Sequence, residues 1–140
     1  MSSHNHIIKN IYIGNRNSIE FHKDFSLIIN CTKTDVAFPT DCSSVCIRVP
    51  VEDIPDEAEK LYHLIQDNNI LEKIHINVGN VLVHCNAGRQ RSCAVVACYL
   101  IKYHNMTPEN AILYMKSKRR EAFFGSINFL ETIKKTAGSL

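Results

Sequence analysis

The 140-residue sequence has little of what would place it outside the range of an ordinary single domain. It contains no apolar run long enough to span a bilayer. Its first ten residues, MSSHNHIIKN, lack the basic start and apolar centre of a secretory signal. With 5 glycines and 4 prolines it has no linker-like tract, and it shows no internal repeat and no low-complexity segment. A net charge of +2 is too small to argue by itself for a nucleic acid or a membrane surface as partner. No Cys-x2-Cys pair is present, which argues against a zinc ribbon or a thioredoxin-type site. These absences predict a protein of a reducing intracellular compartment, cytoplasm or nucleus, with no membrane partner.

What is present begins with six cysteines: Cys31, Cys42, Cys46, Cys85, Cys93 and Cys98. Three of them crowd one strand-loop-helix unit, which is not the spacing of a disulfide frame. Cys42-x3-Cys46, with histidines not far off, is the nearest approach to a metal set. Free thiols are the simpler reading, and no metal or cofactor is called for.

Alternation in HIIKNIYIGN suggests two brief strands turning at Gly14-Asn15, and residues 17–22 suit a short helix. FSLIINCT and VCIRVPV read as apolar strands. A helix with acidic first-turn residues starts at Asp56 and carries Ala58, Leu61, Leu64 and Ile65 at helical spacing. A break near Asn68-Asn69 is expected before it ends at Ile74. Residues 81–84 form another strand, and 93–104 a nearly all-apolar and therefore central helix with Ser92 at its N-cap. Thr107-Pro108 opens a further helix to about Arg119, and a last one starts near Ser126. Strands alternating with helices indicate an α/β domain.

The informative stretch is VLVHCNAGRQRSCAVVACYLI, residues 81–101, where one polar island interrupts apolar sequence. A loop leading from a strand into a helix makes an anion site, because its amides point inward and the helix start adds partial positive charge. Gly88 supplies the backbone freedom such a curl needs. Cys85 opens the loop and Arg91 closes it, offering a planar fork for two phosphate oxygens. Such surroundings favour a thiolate over a thiol, and Ser92 can donate a hydrogen bond to the sulfur. The loop therefore suits a tetrahedral oxyanion with a nucleophile beneath it.

HCNAGRQRS resembles the signature of cysteine-dependent protein phosphatases, HCxxGxxR[ST], and most closely that of their small dual-specificity branch within the protein tyrosine phosphatase superfamily. IYIGN, LIINCT and VPVEDIPDEAEKLY resemble that branch's early strands and acid loop, so the likeness runs over about residues 7–135. It implies a single domain with a central mixed, mostly parallel sheet flanked by helices, comprising residues 7–138 behind a flexible tail of residues 1–6 that includes His4 and His6. Carried over by position, Cys85 is the nucleophile, Arg91 the phosphate clamp and Ser92 the hydroxyl that tunes the sulfur. The backbone of Asn86, Ala87, Gly88, Arg89 and Gln90 forms the cradle. The family's acid lies about thirty residues before the cysteine, which points to Asp53 ahead of Asp56 and Glu52.

His84 is expected to be a buried, hydrogen-bonded residue that orients the loop. Where the family has Pro-Asn and a later Phe, this chain reads AFFGSINFLETI: Phe129 matches the aromatic, Ser126 stands in the place of the Asn, and Asn128 is a candidate substitute. Arg89 adds a cation that either favours highly charged substrates or points to solvent. Cys31, ending LIINC, is either a redox partner for Cys85 or an inert buried thiol. The expected substrates are phosphotyrosine and phosphoserine or phosphothreonine in proteins. The alternatives are an RNA 5′ end or a phosphoinositide at the same site, and a catalytically inactive phosphoprotein-binding module. Oligomeric state is not legible.

Overall fold

The computed structural model describes residues 2–140. Its elements in chain order are β1 (His4–Ile8), β2 (Ile11–Gly14), a 3-10 segment (Arg16–Asp24), β3 (Leu27–Asn30), β4 (Val45–Arg48), a 3-10 turn (Pro55–Glu57), α1 (Ala58–Asp67), α2 (Ile70–Ile76), β5 (Val81–His84), α3 (Arg91–His104), α4 (Pro108–Lys118) and α5 (Leu130–Gly138). The sheet runs β1-β2-β5-β3-β4, antiparallel between β1 and β2 and parallel elsewhere.

Successive residues of a strand point to opposite faces, and the central strands are apolar on both. Ile11, Ile13, Leu27, Ile29, Val81 and Val83 face the larger core, to which all five α-helices contribute. Ile28 and Leu82 face a smaller cluster on the other side, with Phe25, Phe38, Cys42 and Cys46. The helices thus cover one face, while the 3-10 segment and the β3–β4 loop cover the other. α3 is buried at every position from Arg91 to Ile101, which its near-continuous apolar sequence requires. Among the described residues no helix is long and apolar enough to cross a membrane.

Several expectations shift. His4 and His6 are not in a tail: both lie in β1, where His4 pairs with Gly14 and His6 with Tyr12. The hairpin turns at Lys9-Asn10, with Lys9 at φ 50, so Gly14 ends β2 instead of making the turn. The break between α1 and α2 falls where expected, with Asn69 in the left-handed region at φ 51. The cap of α3 is Gln90, so Ser92 sits inside the first helical turn. α5 begins at Leu130 and not near Ser126, because residues 126–128 are used in hydrogen bonds to the site described next.

This topology fixes where chemistry can occur. β3 and β5 end together at Asn30 and His84, which are register partners, and α3 starts just beyond. The carboxyl edge of a parallel sheet is the usual place for a ligand crevice.

Candidate active site

Cys85 follows directly on β5, and its amide reaches back to Gly14 O at 3.4 Å. Its Sγ lies 3.2 Å from Oγ of Ser92, the second residue of α3. Between them the chain curls through Asn86–Gln90. None of the backbone N–H groups of these five residues donates to a protein acceptor among the described residues. Free amides beside the start of a 14-residue helix suit an anion.

Gly88 makes the curl possible. It adopts φ +67, and a Cβ there would sit 2.6 Å from Arg119 Nη2 and 2.7 Å from Gly14 O. Arg119, a fully buried side chain missing from the sequence-based site, explains the crowding. It donates from Nε to Gly88 O at 2.8 Å and from Nη1 to Asn5 Oδ1 at 2.7 Å, propping the loop from behind and tying it to β1. One of the two adjacent arginines in KSKRRE, it carries no sequence signal that it will be buried.

Arg91 is 5 % exposed. Its Nη1 donates to Val51 O at 3.0 Å, its Nη2 lies 3.7 Å from Asp35 Oδ2, and its buried Nε has no partner. A guanidinium held by one side of its fork, with a buried donor left over, suits an added oxyanion. Arg91 and Asp53 line one cleft of about 360 Å³ with Lys33, Thr34, Asp35 and Glu52. Asp56 lies outside that lining, in the Pro55–Glu57 turn. Of the three candidate acids, Asp53 and Glu52 share the cleft with Arg91.

Asp53 is held from the far end of the chain. Asn128 Nδ2 donates to Asp53 Oδ1 at 2.9 Å, while Asn128 N donates to Gln90 Oε1 at 3.0 Å. Gln90 Nε2 in turn donates to Ser126 O at 2.7 Å. The stretch lacking the family's Pro-Asn thus still braces both the loop and the acid segment, with Asn128 and Gln90 in that role. Asp35 was missed because its only signal is spatial: it sits in the β3–β4 loop, facing Arg91.

The His84 ring is fully buried and lies against the Cys85 backbone. Burial, opposed by that backbone contact, pulls its pKa down to about 4, so the ring is neutral at physiological pH, while its carbonyl accepts from Cys31 N at 2.8 Å in the β3–β5 ladder. Cys31 does lie beside the site, since β3 adjoins β5, and burial followed by the neighbouring Cys85 raises its pKa well above the usual thiol range. Arg89 turns away from the Asp53 cleft: its guanidinium carbon lies 5.5 Å from the Phe124 ring centre, in a separate depression with Arg120 and Glu121. Asn86 and Ala87 are exposed at the loop's crest.

An α/β sheet edge that presents a cysteine, a loop of free amides and a buried arginine defines a cysteine-based oxyanion site. Residues 11–137 match the family model described as "Dual specificity phosphatase, catalytic domain". A protein named as a tyrosine phosphatase, 123R, of Invertebrate iridescent virus 6 is 30% identical over 130 residues, covering 91% of this chain and 87% of that protein. The phosphatidylglycerophosphate phosphatase PTPMT1 of Arabidopsis thaliana is 48% identical over 52 residues, 35% of this chain and 15% of that protein. A crystal structure of a mouse dual specificity phosphatase complexed with zinc tungstate superposes with a TM-score of 0.84 at 25% identity, covering 99% of this chain and 88% of that one. The chain belongs to the dual-specificity phosphatases, as a small, atypical member of the cysteine-dependent protein tyrosine phosphatase superfamily.

Proposed function

We propose that this protein hydrolyses phosphotyrosine and phosphoserine or phosphothreonine in proteins through a phosphocysteine at Cys85. The observation that carries the reading is the convergence of Cys85 Sγ, Ser92 Oγ at 3.2 Å, the free loop amides and the unpartnered Nε of Arg91 at one sheet edge. The tungstate bound by the mouse relative, a tetrahedral oxyanion, is in keeping with it. Phosphate oxygens are taken by the amides of Asn86–Gln90 and by Arg91, which leaves the sulfur in line behind phosphorus. Cys85 attacks; the bond from phosphorus to the leaving oxygen breaks, and Asp53 supplies the proton that oxygen needs. In the second step Asp53 takes a proton from water as the water oxygen attacks phosphorus and the sulfur departs, with the Ser92 hydroxyl stabilising it. The cradle and Arg91 balance the charge that builds on the phosphoryl oxygens in both steps. Cys31 is the candidate partner for Cys85 if the catalytic sulfur is oxidised.

A second reading, a phosphate monoester on a lipid, is favoured by one observation: the PTPMT1 relative, 48% identical over a 52-residue segment, is named for action on phosphatidylglycerophosphate. An RNA 5′ end has no comparable support.

The test is hydrolysis of p-nitrophenyl phosphate with EDTA present, in wild type, Cys85→Ser and Asp53→Asn, followed by phosphotyrosine peptide, phosphothreonine peptide and phosphorylated lipid in vesicles. The proposal expects turnover that is lost in Cys85→Ser, reduced about 10²–10⁴-fold in Asp53→Asn, and directed to both peptides. Turnover confined to the lipid would select the second reading. Turnover that survives in Cys85→Ser would overturn both.

A further inference from the structure

Far from the catalytic centre, on the opposite face of the sheet, Cys42 and Cys46 bring their sulfurs within 3.4 Å of each other. Both are half-buried, whereas Cys31, Cys85, Cys93 and Cys98 are buried. Cys46 lies in β4, an edge strand, and Cys42 in the turn leading into it. No third His, Cys, Asp or Glu joins them as a metal set among the described residues. Ser44, between the two, is anchored by its hydroxyl to Phe25 O at 2.5 Å and His22 O at 3.2 Å, which fixes the turn. Against the opposing effect of burial, the polar surroundings that Ser44 and Cys46 supply hold the Cys42 thiol below its ordinary pKa. Burial and the neighbouring Cys42 raise Cys46 to about 11. Two accessible sulfurs at this separation can react with each other once either is oxidised.

We propose that Cys42 and Cys46 are a second reactive site, a dithiol that a hydroperoxide closes to a disulfide within the β3–β4 loop independently of Cys85. The Cys42 thiolate attacks one peroxide oxygen, the O–O bond breaks, and the other oxygen leaves as hydroxide that takes up a proton, giving a sulfenic acid. Cys46 then attacks the Cys42 sulfur as its own proton passes to the departing hydroxyl; an S–S bond forms, the S–O bond breaks and water leaves. Two thiols lose two electrons, and one peroxide becomes two waters. The sulfurs need approach by only about 1.4 Å to reach bonding distance. The closed ring would staple the end of the same loop that carries Phe38, stacked 4.9 Å from the Arg48 guanidinium carbon, and Asp35, which faces Arg91. Arg48 also donates to Thr32 O at 3.1 Å and Val36 O at 3.1 Å, so β4 and the loop are already linked.

Trypsin releases both cysteines, and no other, in the peptide spanning 34–48, bounded by Lys33 and Arg48. Native wild type and Cys85→Ser are treated with graded hydrogen peroxide, denatured, alkylated with iodoacetamide and digested. The proposal expects this peptide to lose two hydrogens, take no alkyl group and revert with dithiothreitol, to the same extent in both proteins. Cys46→Ser should leave a sulfenic acid at Cys42 that dimedone traps. A peptide that stays doubly alkylated at doses where Cys85 is oxidised would overturn the proposal. So would Cys42 recovered only in a cross-link between chains.

Discussion

Asn128 and Asp53, 75 residues apart in sequence, are joined by a 2.9 Å hydrogen bond from the Asn128 side-chain amide to Asp53 Oδ1. The contact places the carboxylate of an exposed loop against the segment that also holds Gln90 at the end of the oxyanion cradle. A positioned acid matters most when the leaving oxygen is a poor one. Asn128→Ala should therefore lower kcat about 10- to 100-fold on phenyl phosphate and less on p-nitrophenyl phosphate, with KM little changed. Steady-state kinetics on the two esters check this; equal losses on both would show that Asn128 does not act through the acid.

Asp35 stands where it would compete with a phosphate for Arg91. Its carboxylate is 3.7 Å from Arg91 Nη2 and 41% exposed, so the ion pair is weak, about 0–1 kcal/mol. Removing the charge should favour an incoming dianion. Asp35→Asn is expected to tighten inhibition by inorganic phosphate up to about 5-fold at low salt, with a smaller gain at high salt. Weaker phosphate binding in the variant would mean that Asp35 orients Arg91 instead of competing for it.

Gly88 is the position where the cradle tolerates least. An alanine there meets Arg119 and Gly14 within 2.8 Å and must hold φ +67. The backbone cost and the overlap together predict a loss of about 2 to 4 kcal/mol in urea unfolding, along with loss of activity. Gly138→Ala, where nothing lies within 4 Å of the added carbon, should leave stability equal or slightly higher.

His84 makes stability depend on pH. Unfolded, it takes a proton below about 6.5; folded, burial delays that to about 4. The unfolded chain therefore binds the extra proton in this window. The contribution is intact above pH 6.5 and is lost as pH falls from 6.5 towards 4. Urea unfolding at pH 7 and pH 5 should differ by about 2 kcal/mol from this residue, and His84→Leu should flatten that slope whatever it does to absolute stability. An unchanged slope would place the titration elsewhere.

The parts of this architecture legible in sequence are those written in local pattern. Continuous apolar runs marked β3, β5 and α3, and the order of Cys85, Gly88, Arg91 and Ser92 marked the oxyanion loop before any coordinates. Asp53 was reached through spacing and resemblance. What stayed hidden is set by contacts between distant segments. Arg119 reads as one more surface cation until its partners, Gly88 and Asn5, are seen beside it. Asp35 has no motif. Asn128 was a candidate without a partner. His4 reads as tail because SSHNH is polar throughout, and the alternation begins only at His6; pairing with β2 orders both.

The central claim is that phosphate passes through Cys85. Its most direct test is rapid acid quench of wild type mixed with p-nitrophenyl phosphate, followed by digestion and mass spectrometry of the peptide that contains residue 85. The account predicts a phosphoryl group on Cys85 that appears with the first turnover, decays as substrate is exhausted, persists longer in Asp53→Asn and is absent in Cys85→Ser. Steady turnover with no phosphoryl group on Cys85 at any quench time, in wild type and in Asp53→Asn alike, would contradict it.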